Sequence, residues 1–123
     1  MNTTLFRIAA GLCFLAVALG AFGAHALKET LATHAMTDVW SKAVTYHFVH
    51  ALGLLLLATL PGANRLPATL LLAGLVLFSG SLYLLALTSI RWLGAITPFG
   101  GLCFLGGWLS LLVWPPRGRI IVA

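Results

Sequence analysis

Charge is what this sequence has least of. Asp, Glu, Lys and Arg make up only 7% of its 123 residues, whereas a soluble domain carries about 25%. A surface so poor in charge cannot face water all round, so most of it must face lipid. There are only two acids, Glu29 and Asp38, and both fall in one short polar segment. No carboxylate pair is therefore available to an active site inside the apolar runs. The chain also has no HExxH, no phosphate-binding loop and no Ser elbow, so no catalytic set is expected. Cysteine is scarce too. Cys13 and Cys103 lie inside apolar runs with no CxxC partner, which suits small buried hydrophobes. The seven basic residues give a net charge of +5 without forming a run. That excludes nucleic acid, which needs a clustered basic face, and suits anionic headgroups.

Apolar residues are what remains, at 61% of the chain. Charges divide them into four stretches. Twenty uncharged residues separate Arg7 from Lys28, 22 separate Lys42 from Arg65, 25 separate Arg65 from Arg91, and 25 separate Arg91 from Arg117. A spanning helix needs about 20 apolar residues. The runs are apolar all round rather than alternating, so they suit helices and not barrel strands. The fold class expected is all-α: one membrane domain, a bundle of four transmembrane helices over about 5–27, 39–60, 68–88 and 93–114. Arg7, the first run and Ala24-His25-Ala26 imitate a cleavable signal peptide, but the run is longer than such a signal's apolar core. The expectation is a retained helix.

In the first span Ala16, Gly20 and Ala24 recur every four residues, with Gly23 beside them. Such a small-residue stripe lets a second helix approach closely, so Gly20→Leu should disrupt packing. Lys28 to Thr37 is the one polar connection of any length. Leu27, Leu31 and Ala35 share a helical face there, which predicts a short amphipathic helix lying in the interface. Asp38 is the expected N-cap of the second span, and Trp40 its interfacial anchor. Residues 61 to 67 read as a turn from their prolines and glycine. Thr97-Pro98 fits the first turn of the fourth helix. Pro115-Pro116 ends that helix before a basic tail. Gly-Leu-Cys-Phe-Leu occurs at 11–15 and again at 101–105, a coincidence expected where few residue types are used.

Four spans put both termini on one side, with Arg7, Arg65, Arg117 and Arg119; Lys28, Lys42 and Arg91 lie on the other. The excess of basic residues places both ends in the cytoplasm. At about 1.5 Å per residue, His25, Tyr46, His47, His50, Ser79, Ser81, Tyr83 and Thr97 all fall in the half of the bilayer away from the termini. Polar groups in a membrane are costly and face the interior in pairs. His25, Tyr46, His50, Ser81, Tyr83 and Thr97 are therefore the candidate polar cluster, with Tyr46 and His50 on one helix face. Histidines so placed either bond across helices, line a path for a proton or small solute, or ligate a metal or haem. His34, in the polar connection, is expected to be exposed.

Ala18-Leu19-Gly20-Ala21-Phe22-Gly23-Ala24-His25, Tyr46 with His50, Phe78-Ser79-Gly80-Ser81-Leu82-Tyr83, Thr97-Pro98-Phe99-Gly100-Gly101 and Gly107-Trp108 together resemble the YgdD-like family. These are small four-helix membrane proteins of bacteria and mitochondria with no established biochemical function. The resemblance covers nearly the whole chain, and His47 lies outside its pattern. It implies a plasma-membrane location and no cofactor. The function expected is that of a structural or accessory membrane protein. Its partners would be the lipid bilayer and either further copies of the chain or another membrane protein. Transport of a solute or proton is the alternative, and a haem- or metal-binding redox role is a third reading.

Overall fold

A computed structural model describes residues 1–117; the basic tail expected beyond Arg117, with Arg119 and Ala123, lies outside the described residues. The elements are α1 (Thr3–Ala24), α2 (Lys28–Thr33), α3 (Thr37–Thr59), α4 (Arg65–Thr88), a 3-10 turn (Arg91–Ala95) and α5 (Thr97–Val113). Four segments are long and apolar enough to cross a membrane: α1, α3, α4, and the 3-10 turn together with α5.

The helices form an open row rather than a closed square. α1 packs on α3, α3 on α4 and α4 on α5, and no backbone contact joins α1 to α4 or α5 among the described residues. The two central helices carry most of the buried side chains. On α3 the buried positions Trp40, Ala43, His47, His50, Leu54 and Leu57 repeat at three- and four-residue intervals, the spacing that keeps one helical face on its neighbour. The core below the histidines is apolar, built from Ala9, Ala51, Leu54, Leu71, Leu75 and Phe104.

Small residues determine how close the helices come, as expected where lipid removes the hydrophobic drive. Of the predicted stripe, Ala16 is buried and Gly20 faces Val44, but Ala24 is exposed. The face that meets α3 runs through Ala9, Ala16, Gly20 and Gly23. At 100° per residue, Ala24 lies about 80° from Ala16 around the helix, so Gly23 takes its place. The α4–α5 contact is closer still. Gly74 faces the Gly100 carbonyl, Gly100 lies against the Phe78 backbone, and Gly107 lies against Leu71.

The expected helix between the first two spans is present but short, and Leu31 is its buried anchor. Ala35 does not extend the apolar face. It sits at φ 54°, after the helix has ended. The Met36 amide donates to the Leu31 carbonyl and the Ala35 amide to the Ala32 carbonyl, closing the helix as a Schellman motif. α3 begins at Thr37, so Asp38 lies in its first turn and is not the cap; a carboxylate there still favours the helix dipole. α4 begins at Arg65, earlier than expected, because the Asn64 side chain caps the Leu66 amide. Pro67 is then accommodated in the first turn.

Candidate functional site

The polar side chains within the row make a ladder of bonds between neighbouring helices. From α3 to α1, the Trp40 indole N–H donates to the Leu19 carbonyl at 2.9 Å. Trp40 is therefore an interhelical tie, 4% exposed, and not the expected interfacial anchor. The cause is Gly23, whose missing side chain leaves room for the indole. From α4 to α3, the Ser79 hydroxyl donates to the Ala43 carbonyl at 2.9 Å. From α4 to α5, the Ser81 hydroxyl donates to the Phe78 carbonyl, so Thr97 must supply the proton in the 2.7 Å bond between the two hydroxyls. His34, expected to be exposed, donates from Nδ1 to the Ala86 carbonyl at 2.9 Å and ties the end of α2 to α4.

His50 is held on both sides. The Trp108 indole N–H donates to its Nε2 at 3.0 Å, and its Nδ1 lies 2.7 Å from the Tyr46 carbonyl. An indole nitrogen can only donate and a carbonyl can only accept. His50 is thus the neutral tautomer with its proton on Nδ1, and no lone pair remains free for a metal. Phe104 stacks on the ring with centroids 3.6 Å apart. His50 lies about 20 Å along the axis from the start of α3 and about 14 Å from its end. It joins α3 to α5 where their backbones do not meet.

His47 is 1% exposed. Its Nδ1 shares a 2.8 Å hydrogen bond with the Tyr83 hydroxyl, and Trp40 packs on the Tyr83 ring. The other nitrogen, Nε2, is buried without a hydrogen bond among the described residues.

Of the six candidate residues, the structure brings His50, Ser81, Tyr83 and Thr97 into interhelical bonds, and His47, Ser79, Trp40 and Trp108 join them. His25 does not. It caps the end of α1, exposed and without a side-chain bond among the described residues. Nine residues place it about 180° from Ala16, on the side away from α3. Tyr46 shares a face with His50 as expected, but it is 43% exposed. With Phe78, Phe104 and Trp108 it lines an aromatic groove of about 620 Å³ that opens outward between α3 and α5. The repeat along α3 is the sequence signal that places His47 in the interior. Trp108 carries a weaker signal, as it shares a helix face with Phe104.

A double-mutant cycle measures the His50–Trp108 tie. His50→Leu and Trp108→Phe should each lower stability in detergent by about 0.6–1.7 kcal/mol, the range for interhelical hydrogen bonds in membranes. Their effects should not add. Strictly additive losses would mean the bond contributes nothing.

Comparison with known proteins agrees with this architecture. A family model described as "Protein of unknown function (DUF423)" matches residues 19–101. A UPF0382 membrane protein of Staphylococcus haemolyticus is 49% identical over 114 residues, covering 89% of this chain and 93% of its own. The UPF0382 membrane protein YwdK of Bacillus subtilis is 47% identical over 105 residues, covering 80% and 85%. No solved structure matches. With four membrane-length helices and relatives that are themselves named membrane proteins, the chain is a small multi-pass membrane protein, and it belongs to the DUF423/UPF0382 family of unknown function.

Proposed function

We infer that this protein is a non-enzymatic structural or accessory component of the bacterial plasma membrane, acting with a second copy or another membrane protein. The observation that carries this reading is the engagement of the interior polar groups. His50, Ser79, Ser81, Thr97 and Trp40 are all committed to bonds between helices, which leaves His50 no free atom for chemistry. Mild-detergent extraction from native membranes should recover the chain in a complex larger than its monomer. A monomer that leaks protons when reconstituted in liposomes would replace this reading with permeation, the alternative favoured by the unpartnered Nε2 of His47.

Both ends are proposed to be cytoplasmic, because basic residues are more numerous at that end of the row. Reporter fusions at residues 1 and 123 should both report the cytoplasm. Two external reports would reverse the orientation.

A further inference from the structure

At the end of the row that holds the start of α1 and the α3–α4 turn lies a cavity of about 390 Å³. It exists because α1 does not meet α4. Its mouth is polar, with Asn2, Asn64 and Arg65, and its floor is apolar, with Leu5, Leu57 and Leu72. Asn2 and Asn64 use their side-chain oxygens to cap the Leu5 and Leu66 amides. Each carboxamide NH2 is then left as a donor. Arg65 is exposed, and both acidic side chains of the protein, Glu29 and Asp38, belong to the opposite end. The mouth therefore collects donors and a positive charge with no side-chain carboxylate to balance them.

We propose that this cavity binds an anionic phospholipid, with the phosphate at Arg65 and an acyl chain over the apolar floor. Three features select a lipid over other anions. The cavity stands at the end of the spans, at headgroup level. Its charge is opposite to that of an acidic headgroup, the pairing used by basic pockets between transmembrane helices. Its floor is hydrocarbon and runs inward along α1 and α4, which a small anion would leave empty.

The test is native mass spectrometry of delipidated protein in neutral detergent, titrated with phosphatidylglycerol, phosphatidylcholine or inorganic phosphate. Phosphatidylglycerol should bind at least tenfold more tightly than phosphatidylcholine. Arg65→Gln should weaken it about fivefold, the effect of one basic side chain near a headgroup. Arg7→Gln removes the same charge at the same end but outside the lining, and should leave affinity unchanged. Ala68→Phe, which fills the lining beside Leu72, should weaken binding of the lipid without Arg65 being touched. Equal affinity for the two lipids would overturn the proposal, as would equal losses in Arg65→Gln and Arg7→Gln. Phosphate competing as well as the lipid would also overturn it, by showing an anion site with no use for the acyl chain.

Discussion

Gly100→Ala should be among the most damaging single-methyl additions in the protein, lowering stability by about 3 kcal/mol, the top of the usual range for overpacking. The added carbon would lie 2.8 Å from the Cα of Phe78 and closer still to its amide nitrogen. Those are backbone atoms of α4, so no rotamer change relieves the clash. α4 and α5 would have to separate along their length. Separation would also loosen the packing at Gly74 and Gly107, where an added Cβ would lie only 2.9 Å from the Gly100 carbonyl oxygen and 2.7 Å from Leu71 in the same interface. It would lengthen the Ser81–Thr97 bond that crosses this seam. Gly80 is the control. It sits on α4 with nothing within 4 Å of an added Cβ, so Gly80→Ala should leave the melting temperature in detergent unchanged. Equal tolerance of both substitutions would mean that the two helices do not approach this closely.

Gly23→Ala should follow, at about 2 kcal/mol. Here the obstacle is a side chain, the Trp40 indole. It cannot simply rotate away, because it is buried, bonded to the Leu19 carbonyl and packed on Tyr83. An alanine would break that bond and press the indole toward the His47–Tyr83 pair. Gly20→Ala makes the contrast. Its added carbon would lie 3.4 Å from Val44 Cγ1, an ordinary contact, so that change should be close to neutral. Thermal unfolding of the two variants followed by tryptophan fluorescence separates them. If Gly20→Ala proves the more harmful, the α1–α3 register described here is wrong.

These two glycines mark the limit of sequence reading. The four-residue spacing of Ala16, Gly20 and Ala24 identified the correct helix and roughly the correct face. It named the wrong third member, because spacing defines a stripe about 100° wide and not its centre line. Gly100 was legible only as part of a motif. Nothing local shows that its backbone meets that of Phe78, since the contact joins two separate helices. The polar cluster divides in the same way. Depth along each span was readable from the charges for Ser81, Tyr83 and Thr97. His50 was expected in the same half, but α3 begins at Thr37 and not near Lys42, so His50 lies past mid-span, nearer the end that holds the termini. Direction around the helix was not readable for His25, which follows the end of α1 and points away from α3. Trp40 near a helix start resembles an interfacial anchor, and only the hollow above Gly23 draws it inside.

By itself the sequence determined the class of the protein. So little charge, divided into four intervals of 20 residues or more, admits only helices whose backbones satisfy themselves in lipid. It also determined that the interior polar atoms would have to find one another, because hydrocarbon offers them no partner. The tertiary structure decided which partners they found. The row is open, with α1 on α3, α3 on α4, α4 on α5 and no backbone contact between α1 and α4 among the described residues. That separation creates the basic-mouthed cavity beside Arg65. The Trp108 side chain reaches from α5 to His50 on α3, fixing its tautomer. Both outcomes depend on distances between segments far apart in the chain, and periodicity within one segment carries no information about them.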